Sequence, residues 1–349
     1  MSNVDVVLCS PVRTAIGTYG GTLKDVAAPT LGAAVIRESL KRAGFPPAKI
    51  QSLVMGNVIQ AGVKMNPARQ AGIAGGLPVE VPALTVNRVC ESGAQAIASA
   101  ANEIWAGMID CAVAGGMENM DCAPYLLPQG RWGARMGDVT LFDSMLLDGL
   151  NDAFSGQHSG WHTEDLVMKC GISREDQDRW ALRSQQRFAK AQAAGLFDAE
   201  IAPLEIPGRK GATVFDRDEH NRPDTSAESL AKLKPAFRKD GTITAGNAPG
   251  LNSGAAAMLV AGRAWAESNG LTPMARLVSY GVGAVEPSLF GLGPIPAVRQ
   301  AIARAGWSVA DVDCVEINEA FAAIALACSR ELGFAEVTVA GAAVGCVLM

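Results

Sequence analysis

The chain has 349 residues, of which 49% are hydrophobic and 19% charged, and its formal net charge is −5 at pH 7. This length predicts one large or two medium domains with an ample core. With no basic block, the sequence argues against nucleic acid as a partner. No apolar run reaches the ~18 residues that a membrane span requires, and the first ten residues lack the basic region of a signal peptide.

Cysteine usage bears on the compartment and on metal binding. The eight cysteines are spread along the chain without a C-x-x-C pair. This spacing favours reduced thiols in a cytoplasm and argues against a zinc site. We therefore expect a cytoplasmic protein without a bound metal.

Strands and helices alternate in the first third of the chain. Residues 4–10, 53–56 and 111–115 have the apolar character of short buried strands, and residues 31–43 show helical spacing with Gly44 as the C-cap. Alternation of this kind predicts an α/β fold.

A cysteine occupies the most informative position in the sequence. In TVNRVCESGAQAIASAANEIW (85–105), a β-type run reaches Cys90 and a helix of small residues follows. A helix N-terminus favours negative charge, and thiolate is the nucleophilic form of cysteine. The position therefore fits nucleophilic acyl transfer, while a small buried core cysteine remains the alternative.

Two distant segments resemble each other. Residues 41–57 and 303–319 align without gaps, and both read as a helix end, Arg-Ala-Gly, an aromatic residue, a turn and a short apolar strand. We predict a duplicated α/β unit: an N-terminal half (1–119 and 246–268), an inserted loop domain (120–245) and a C-terminal half (269–349). The alternative is chance similarity between two common helix–turn–strand units.

Six collinear segments carry a family resemblance, from about residue 3 to about residue 339. They are VNRVCESGAQAI, AGGMENM, RMGD…DSMLLDGLNDAF, GISREDQDRWALRSQQ, KLKPAFRKDGTITAGNAPGLNSGAAA and VEINEAFAA. Together they resemble the thiolases, of the acetyl-CoA acetyltransferase type. The resemblance implies duplicated αβα halves stacked as a five-layer αβαβα fold, with a loop domain inserted in the first half.

The same resemblance implies an activity. Thiolases catalyse reversible Claisen condensation or thiolysis of acyl-CoA by a ping-pong route through a cysteine thioester. Coenzyme A thioesters would be the substrates, with no further cofactor, and a homodimer or homotetramer is expected.

Residue roles follow from the matching motifs. Cys90 resembles the acyl-accepting nucleophile, and Asn318 resembles the residue that holds a water in an oxyanion hole, where one donor is worth ~2.7–4 kcal/mol. For Asn318 alone, a turn or strand-end amide is the alternative. His158 lies in a segment resembling the H-M-G-x-T-A-E-N stretch that lines the pantetheine tunnel. The remaining residues expected to bind coenzyme A are Arg222, Phe237, Ala245, Gly246, Pro249, Ala320 and Phe321.

Several positions depart from the family pattern. Glu91 follows the cysteine where Gly or Ser is usual, and a carboxylate there opposes thiol ionisation if it points inward. Ser159 and Thr163 replace a methionine and an alanine, and Pro249 replaces a serine close to the substrate.

The last residues depart most. Family chains reach a G-H-P histidine, which activates the nucleophile, and a C-x-G cysteine, which deprotonates the second acetyl-CoA. Here the sequence reads EVTVAGAAVGCVLM, no histidine follows His220, and Cys346 stands outside a C-x-G context. The pattern predicts an incomplete second half, with Ile317, Phe321 and Ile324 left uncovered. Three alternatives are open: an acetyltransferase with altered acid/base groups, a catalytically inactive CoA-binding protein, and a truncated thiolase fragment.

Overall fold

A computed structural model describes residues 4–208 and 211–334. Within these ranges the strands, in chain order, are β1 Val6–Thr14, β2 Gly17–Thr18, β3 Ser52–Gly56, β4 Ala83–Val86, β5 Cys111–Asn119, β6 Tyr125–Leu126, β7 Phe142–Asp143, β8 Ile201–Ala202, β9 Leu204–Ile206, β10 Thr213–Phe215, β11 Asn252–Gly262 and β12 Ala275–Leu277. The α-helices are α1 Ala28–Ala43, α2 Pro67–Ala74, α3 Ser92–Trp105, α4 Ser159–Cys170, α5 Arg174–Ala193, α6 Ala227–Ala231, α7 Arg263–Ser268, α8 Pro294–Ala305 and α9 Ala322–Leu332. None of the helices in these ranges is long and apolar enough to cross a membrane.

An eight-stranded sheet organises the described part of the chain. Its order is β12-β1-β11-β5-β3-β4, with β2 added to β11 and β8 added to β1. Strands β3, β4 and β5 run parallel, whereas β11 is antiparallel to both β1 and β5. Strand β4 lies at the edge of this sheet.

Helices cover both faces of the sheet. All nine residues of β5 are buried, and their side chains alternate between two cores. Cys111, Val113 and Met117 face the core beneath α1 and α2, while Ala112 and Ala114 face the small residues of α3. A strand buried on both faces reads as a continuous apolar run, which is why the sequence shows no polar alternation there.

The predicted repeat is visible at its turn. Gly44 and Gly306 both end a helix in the left-handed conformation, at φ 59° and φ 70°. In each copy the next residue donates its N–H to the carbonyl five residues earlier: Phe45 to Leu40 at 3.0 Å, and Trp307 to Ile302 at 3.1 Å. A 3₁₀ turn follows in both copies, at Pro47–Lys49 and Val309–Asp311. The helix, turn and cap of the repeat are therefore duplicated in three dimensions.

Some expected boundaries differ. The strand expected to end at residue 115 continues to Asn119, because residues 116–119 pair with β11. The β-type run expected to reach Cys90 ends at Val86, and a turn connects it to α3. Residues 315–319 form no strand among the described residues, unlike their counterpart β3.

Two residues expected to be uncovered are buried. Phe321 and Ile324 are each 4% exposed, and Ile317 is half-buried. They are covered because they pack with Leu166 and Val167 of α4 in a second core. The expected incompleteness of the second half, and Cys346, concern residues 335–349, which lie outside the described residues.

The domain division stays a prediction. Strands β8 and β12 come from the expected loop domain and the expected C-terminal half, yet both pair with β1. The sheet of the N-terminal half thus recruits residues from all three expected units.

Candidate active site

Cys90 lies in a tight turn between β4 and α3. Its neighbour Val89 has φ 49°, in the left-handed region that a β-branched residue rarely adopts. The buried Ser92 hydroxyl fixes the turn: it accepts from the N–H of Arg88 at 2.8 Å and donates to the carbonyl of Val89 at 2.6 Å. Cys90 is partly exposed and directly precedes Glu91, the N-cap of α3. The turn thus holds a partly accessible thiol at a helix N-terminus.

Glu91, the first departure from the family pattern, is exposed. Its pKa is raised by partial loss of solvation, and the nearby charge of Arg88 opposes this. An exposed carboxylate is screened by water. Glu91 therefore opposes ionisation of the thiol less than an inward-facing carboxylate would.

Asn318 belongs to an irregular segment that leads into α9, and the next residue fixes this segment. Glu319 is 9% exposed and accepts hydrogen bonds from Trp180 Nε1 at 2.6 Å and from Ser184 Oγ at 2.7 Å. Burial raises the pKa of Glu319, while these two bonds and the charge of Arg183 lower it. The segment of Asn318 is thereby attached to α5.

Three aromatic rings meet at the start of α4. The ring of His158 stacks on Phe237 at 4.8 Å between centroids, and Phe237 meets the edge of Phe321 at 6.0 Å. Phe237 lies so close to Gly160 that a Cβ there would collide with its ring. His158, Phe237 and Phe321 form the aromatic cluster of the site.

His158 also caps α4. Its Nδ1 accepts the N–H of Gly160 at 2.9 Å, so the neutral ring carries its proton on Nε2. Burial lowers the pKa of His158. A neutral imidazole with an Nε2–H donor is the form that the structure favours at neutral pH.

A buried carboxylate aligns the segment that carries Phe237. Glu164 of α4 is 3% exposed and accepts from the backbone N–H groups of Thr242 and Ile243, each at 2.9 Å at its shortest. These N–H donors replace the hydrogen bonds to water that the carboxylate loses on burial. Thr242 and Ile243 directly precede the loop 244–250, so Glu164 also fixes the start of that loop.

The loop 244–250 borders an open cavity of about 500 Å³. Four residues expected to bind coenzyme A line it, together with the buried carboxylate of Glu319; they are Arg222, Ala245, Gly246 and Pro249. The ring of His220, which packs on Gly250, lines it as well, and burial together with Arg222 lowers the pKa of this histidine.

The expected site residues fall into three groups: the pair expected to do the chemistry (Cys90 and Asn318), the aromatic cluster, and the residues that line the cavity. Neither Cys90 nor Asn318 is among the described residues that line the cavity. The aromatic cluster adjoins the cavity, because Ala322 follows Phe321, lines the cavity, and donates its N–H to the carbonyl of Asn247 at 3.1 Å. Ala320 lies between Glu319 and Phe321, half-buried.

Sequence reasoning missed the residues that hold these groups in place. Glu164, Trp180, Ser184 and Glu319 all form buried hydrogen bonds to residues distant along the chain. The one available signal was Glu319, a carboxylate that directly precedes the apolar run 320–328. Within the described ranges, no group of three His, Cys, Asp or Glu side chains could hold a metal ion.

Two sequence models of one family match the chain. The thiolase N-terminal domain matches residues 6–264, and the thiolase C-terminal domain matches residues 271–346. The chain belongs to the thiolase family. Enzyme class and fold, as expected from the six motifs, are confirmed.

Individual thiolases agree with this assignment. An acetyl-CoA acetyltransferase of Cupriavidus necator is 49% identical over 343 residues, which cover 97% of this chain and 87% of that protein. The crystal structure of the Bacillus anthracis acetyl-CoA acetyltransferase superposes with a TM-score of 0.95 at 43% identity, covering 99% of this chain and 88% of the other. The human mitochondrial 3-ketoacyl-CoA thiolase superposes with a TM-score of 0.94 at 40% identity, covering 99% and 88%.

Proposed function

We propose that this thiolase is an acetyl-CoA C-acetyltransferase that works through a thioester on Cys90. The observation that carries the proposal is the 49% identity to an acetyl-CoA acetyltransferase along 97% of the chain. The partly exposed thiol in a rigid turn before α3, and the cavity at loop 244–250, support it.

The first half-reaction would form the acyl-enzyme. The sulfur of Cys90 attacks the carbonyl carbon of acetyl-CoA, a carbon–sulfur bond forms, and the bond to the coenzyme A sulfur breaks. The thiol proton passes, on balance, to the departing coenzyme A. The N-terminus of α3 would favour the thiolate form of Cys90.

The second half-reaction would form the carbon–carbon bond. A second acetyl-CoA loses a proton from its methyl carbon, and that carbon attacks the acetyl group on Cys90. Acetoacetyl-CoA leaves, and Cys90 regains a proton. We assign Asn318 to the oxyanion site, because preorganised donors stabilise the developing enolate charge, and Glu319 holds its segment against α5.

Coenzyme A would bind along two of the three groups. We assign the nucleotide and upper pantetheine to the cavity of Arg222, Ala245, Gly246 and Pro249. The lower pantetheine would pass the aromatic cluster of His158, Phe237 and Phe321, beside Ala320. We propose that the reaction needs no metal or organic cofactor.

We also propose a cytoplasmic homo-oligomer, a dimer or tetramer. Strand β4 leaves one sheet edge unpaired by the described strands, and Leu84 on it is 48% exposed. Near the β6–β7 hairpin, Trp132 and Met136 are 80% and 98% exposed. We propose this unpaired sheet edge and this apolar loop as the candidate contact surfaces.

The test is thiolysis of acetoacetyl-CoA by the purified protein, compared with the Cys90→Ala variant. Acetylation of Cys90, read by peptide mass spectrometry after incubation with acetyl-CoA, reports the first half-reaction separately. We expect both signals in the wild type and neither in Cys90→Ala. Thiolysis that persists in Cys90→Ala would overturn the assigned nucleophile, and a wild type without either signal would overturn the proposed activity.

A further inference from the structure

A polar cluster beside α4 lies outside the cavity and is not part of the chemistry proposed above. It consists of Asp152, Ser155, His162, Asp165 and Arg238, and we call it the His162 clamp. His162 is 7% exposed; its Nε2 lies 2.6 Å from Ser155 Oγ, and its Nδ1 lies 3.3 Å from Asp165 Oδ2. Arg238 Nη2 donates to the other oxygen of Asp165 at 2.7 Å.

The direction of these hydrogen bonds can be worked out. Ser155 donates both its N–H and its hydroxyl to Asp152 Oδ2, each at 2.7 Å, and its hydroxyl bond is the main cause that lowers the pKa of Asp152. An ionised carboxylate only accepts, so the single hydroxyl proton of Ser155 points to Asp152. The Ser155 oxygen must then accept the Nε2–H of His162.

The direction of these hydrogen bonds shows that Ser155 and His162 are not arranged as a nucleophile and its base. A serine nucleophile would direct its proton to the histidine, whereas here that proton is engaged with Asp152. Nδ1 of His162 faces Asp165 Oδ2 at 3.3 Å, and the other oxygen of Asp165 accepts a hydrogen bond from Arg238 Nη2. The clamp thus links two carboxylates through a serine hydroxyl, an imidazole and a guanidinium.

The clamp connects two of the three segments that carry the aromatic cluster, those of His158 and Phe237. Asp152 and Ser155 belong to loop 151–158, which ends at His158 and is closed by a hydrogen bond from Asp152 N to Gln157 O at 2.8 Å. Arg238 directly follows Phe237, and its guanidinium also lies over the Trp161 ring at 4.5 Å. The His158 segment and the Phe237 segment are therefore connected twice, once by the ring stack and once through His162.

We propose that His162 is a positioning residue for substrate binding. Through Ser155 it holds loop 151–158, through Asp165 and Arg238 it holds the Phe237 segment, and it thereby fixes the stacked pair of His158 and Phe237. In the H-M-G-x-T-A-E-N stretch that this segment resembles, Thr stands at position 162 and Asn at position 165. The clamp is thus a feature of this chain's own residues, and its effect on substrate rests on the function proposed above.

The test combines kinetics with hydrogen exchange. His162→Phe keeps a ring of similar size without donors, whereas His162→Gln keeps one donor toward Ser155. Losing a hydrogen bond to a charged network corresponds to roughly a tenfold change in binding. We expect His162→Phe to raise KM for acetoacetyl-CoA about tenfold with kcat within about threefold, as for a loss of uniform binding, and His162→Gln to restore most of the KM.

A second variant guards against a folding defect. Ser155 is exposed, so Ser155→Ala removes the hydroxyl without opening a core cavity. It should raise KM in the same direction. The double variant Ser155→Ala/His162→Phe should be no worse than His162→Phe alone, because the Ser155–His162 hydrogen bond is already lost in His162→Phe. Lys169→Gln, at an exposed position on α4, is the matched control and should leave KM unchanged.

Hydrogen exchange tests the clamp without activity. Amides of residues 151–158 should exchange faster in His162→Phe and Ser155→Ala, while those of α1 stay protected. An unchanged KM together with unchanged exchange would overturn the proposal, and so would additive effects in the double variant. An inactive wild type with faster loop exchange in the variants would overturn the proposed function but retain the clamp.

Discussion

Trp180 Nε1 donates a hydrogen bond to Glu319 Oε1 at 2.6 Å, and both side chains are buried. Trp180 lies on α5, whereas Glu319 directly precedes the entrance to α9. Helix α5 is therefore joined by a polar contact to the segment that leads into α9, next to an otherwise apolar core. The residue expected to stabilise the oxyanion, Asn318, immediately precedes this contact.

Replacing Glu319 should reduce both stability and rate. Glu319→Ala leaves the buried donors of Trp180 and Ser184 without their acceptor, and each such group costs about 1–3 kcal/mol of unfolding free energy. We also expect kcat to fall at least about tenfold, because loss of one oxyanion donor alone costs ~10²–10³ when complete. Urea unfolding and steady-state kinetics measure the two effects. Glu228→Ala, at an exposed position on α6, is the control, and equal unfolding curves for the two variants would contradict the prediction.

Cys90 should react faster with iodoacetamide than the buried cysteines. Burial raises the pKa of both Cys111 and Cys328 to about 12, so their thiolate fraction near neutral pH is negligible. Quantitative peptide mass spectrometry at several labelling times gives the rates. Acetyl-CoA should protect Cys90 but not the exposed Cys314. Labelling of Cys90 no faster than that of Cys111, or no protection by acetyl-CoA, would argue against a nucleophilic role.

Gly160 should not tolerate a methyl group. A Cβ at this position collides with the ring of Phe237, and overpacking of this kind typically costs about 1–3 kcal/mol. Gly160→Ala should therefore lower the melting temperature and raise KM, because Phe237 must move away from His158. Ser159→Ala, the neighbouring position, serves as the comparison. If Gly160→Ala has wild-type KM, the His158–Phe237 stack does not form part of the substrate site.

Glu118 should make stability depend on pH. Burial raises its pKa to about 7, although hydrogen bonds from Val58, Ile59, Asn119 and Asn57 oppose the shift. Between about pH 4.3, where an unfolded glutamate titrates, and about pH 7, the folded chain keeps a proton that the unfolded chain has lost. This contribution to the free energy of unfolding is therefore complete below about pH 4.3 and is lost as the pH rises to about 7.

Glu118→Gln tests this sign. Glutamine retains one oxygen to accept from Val58 and Ile59, which both donate to the same carboxylate oxygen, but it does not titrate. The decline in unfolding free energy between about pH 5 and about pH 7.5, measured by urea denaturation, should be smaller in the variant. Glu80→Gln, at an exposed position, is the control and should show the same decline in unfolding free energy as the wild type. Identical slopes for Glu118→Gln and the wild type would refute the assignment.

The sequence predicted best where local chemistry decides the structure. Gly44 ends α1 as expected, because a left-handed C-cap depends on a few adjacent residues. The cap of α5 is equally local in the structure, where the hydroxyl of Ser173 accepts the N–H of Asp176 at 3.0 Å. The order of motifs identified the family and its fold.

The sequence predicted least where distant residues meet. The His162 clamp requires loop 151–158 and residue 238 to reach one face of α4, which no local pattern reveals. The extent of β5 was underestimated, because GGMEN has low strand propensity and becomes a strand only through its pairing with β11. Burial of Phe321 and Ile324 depends likewise on α4, a helix far away along the chain.

The left-handed backbone of Val89 lowers the stability of the enzyme but belongs to the turn that holds Cys90. A β-branched residue at φ 49° costs of order 1–3 kcal/mol. Glycine would relieve that cost, and its greater freedom in the unfolded chain would offset only part of the gain. A laboratory selection for heat resistance alone would thus have reason to reach Val89→Gly. Such a variant would loosen the turn that carries Cys90, so engineering for thermostability should leave position 89 untouched and search α1 or the β9–β10 hairpin instead.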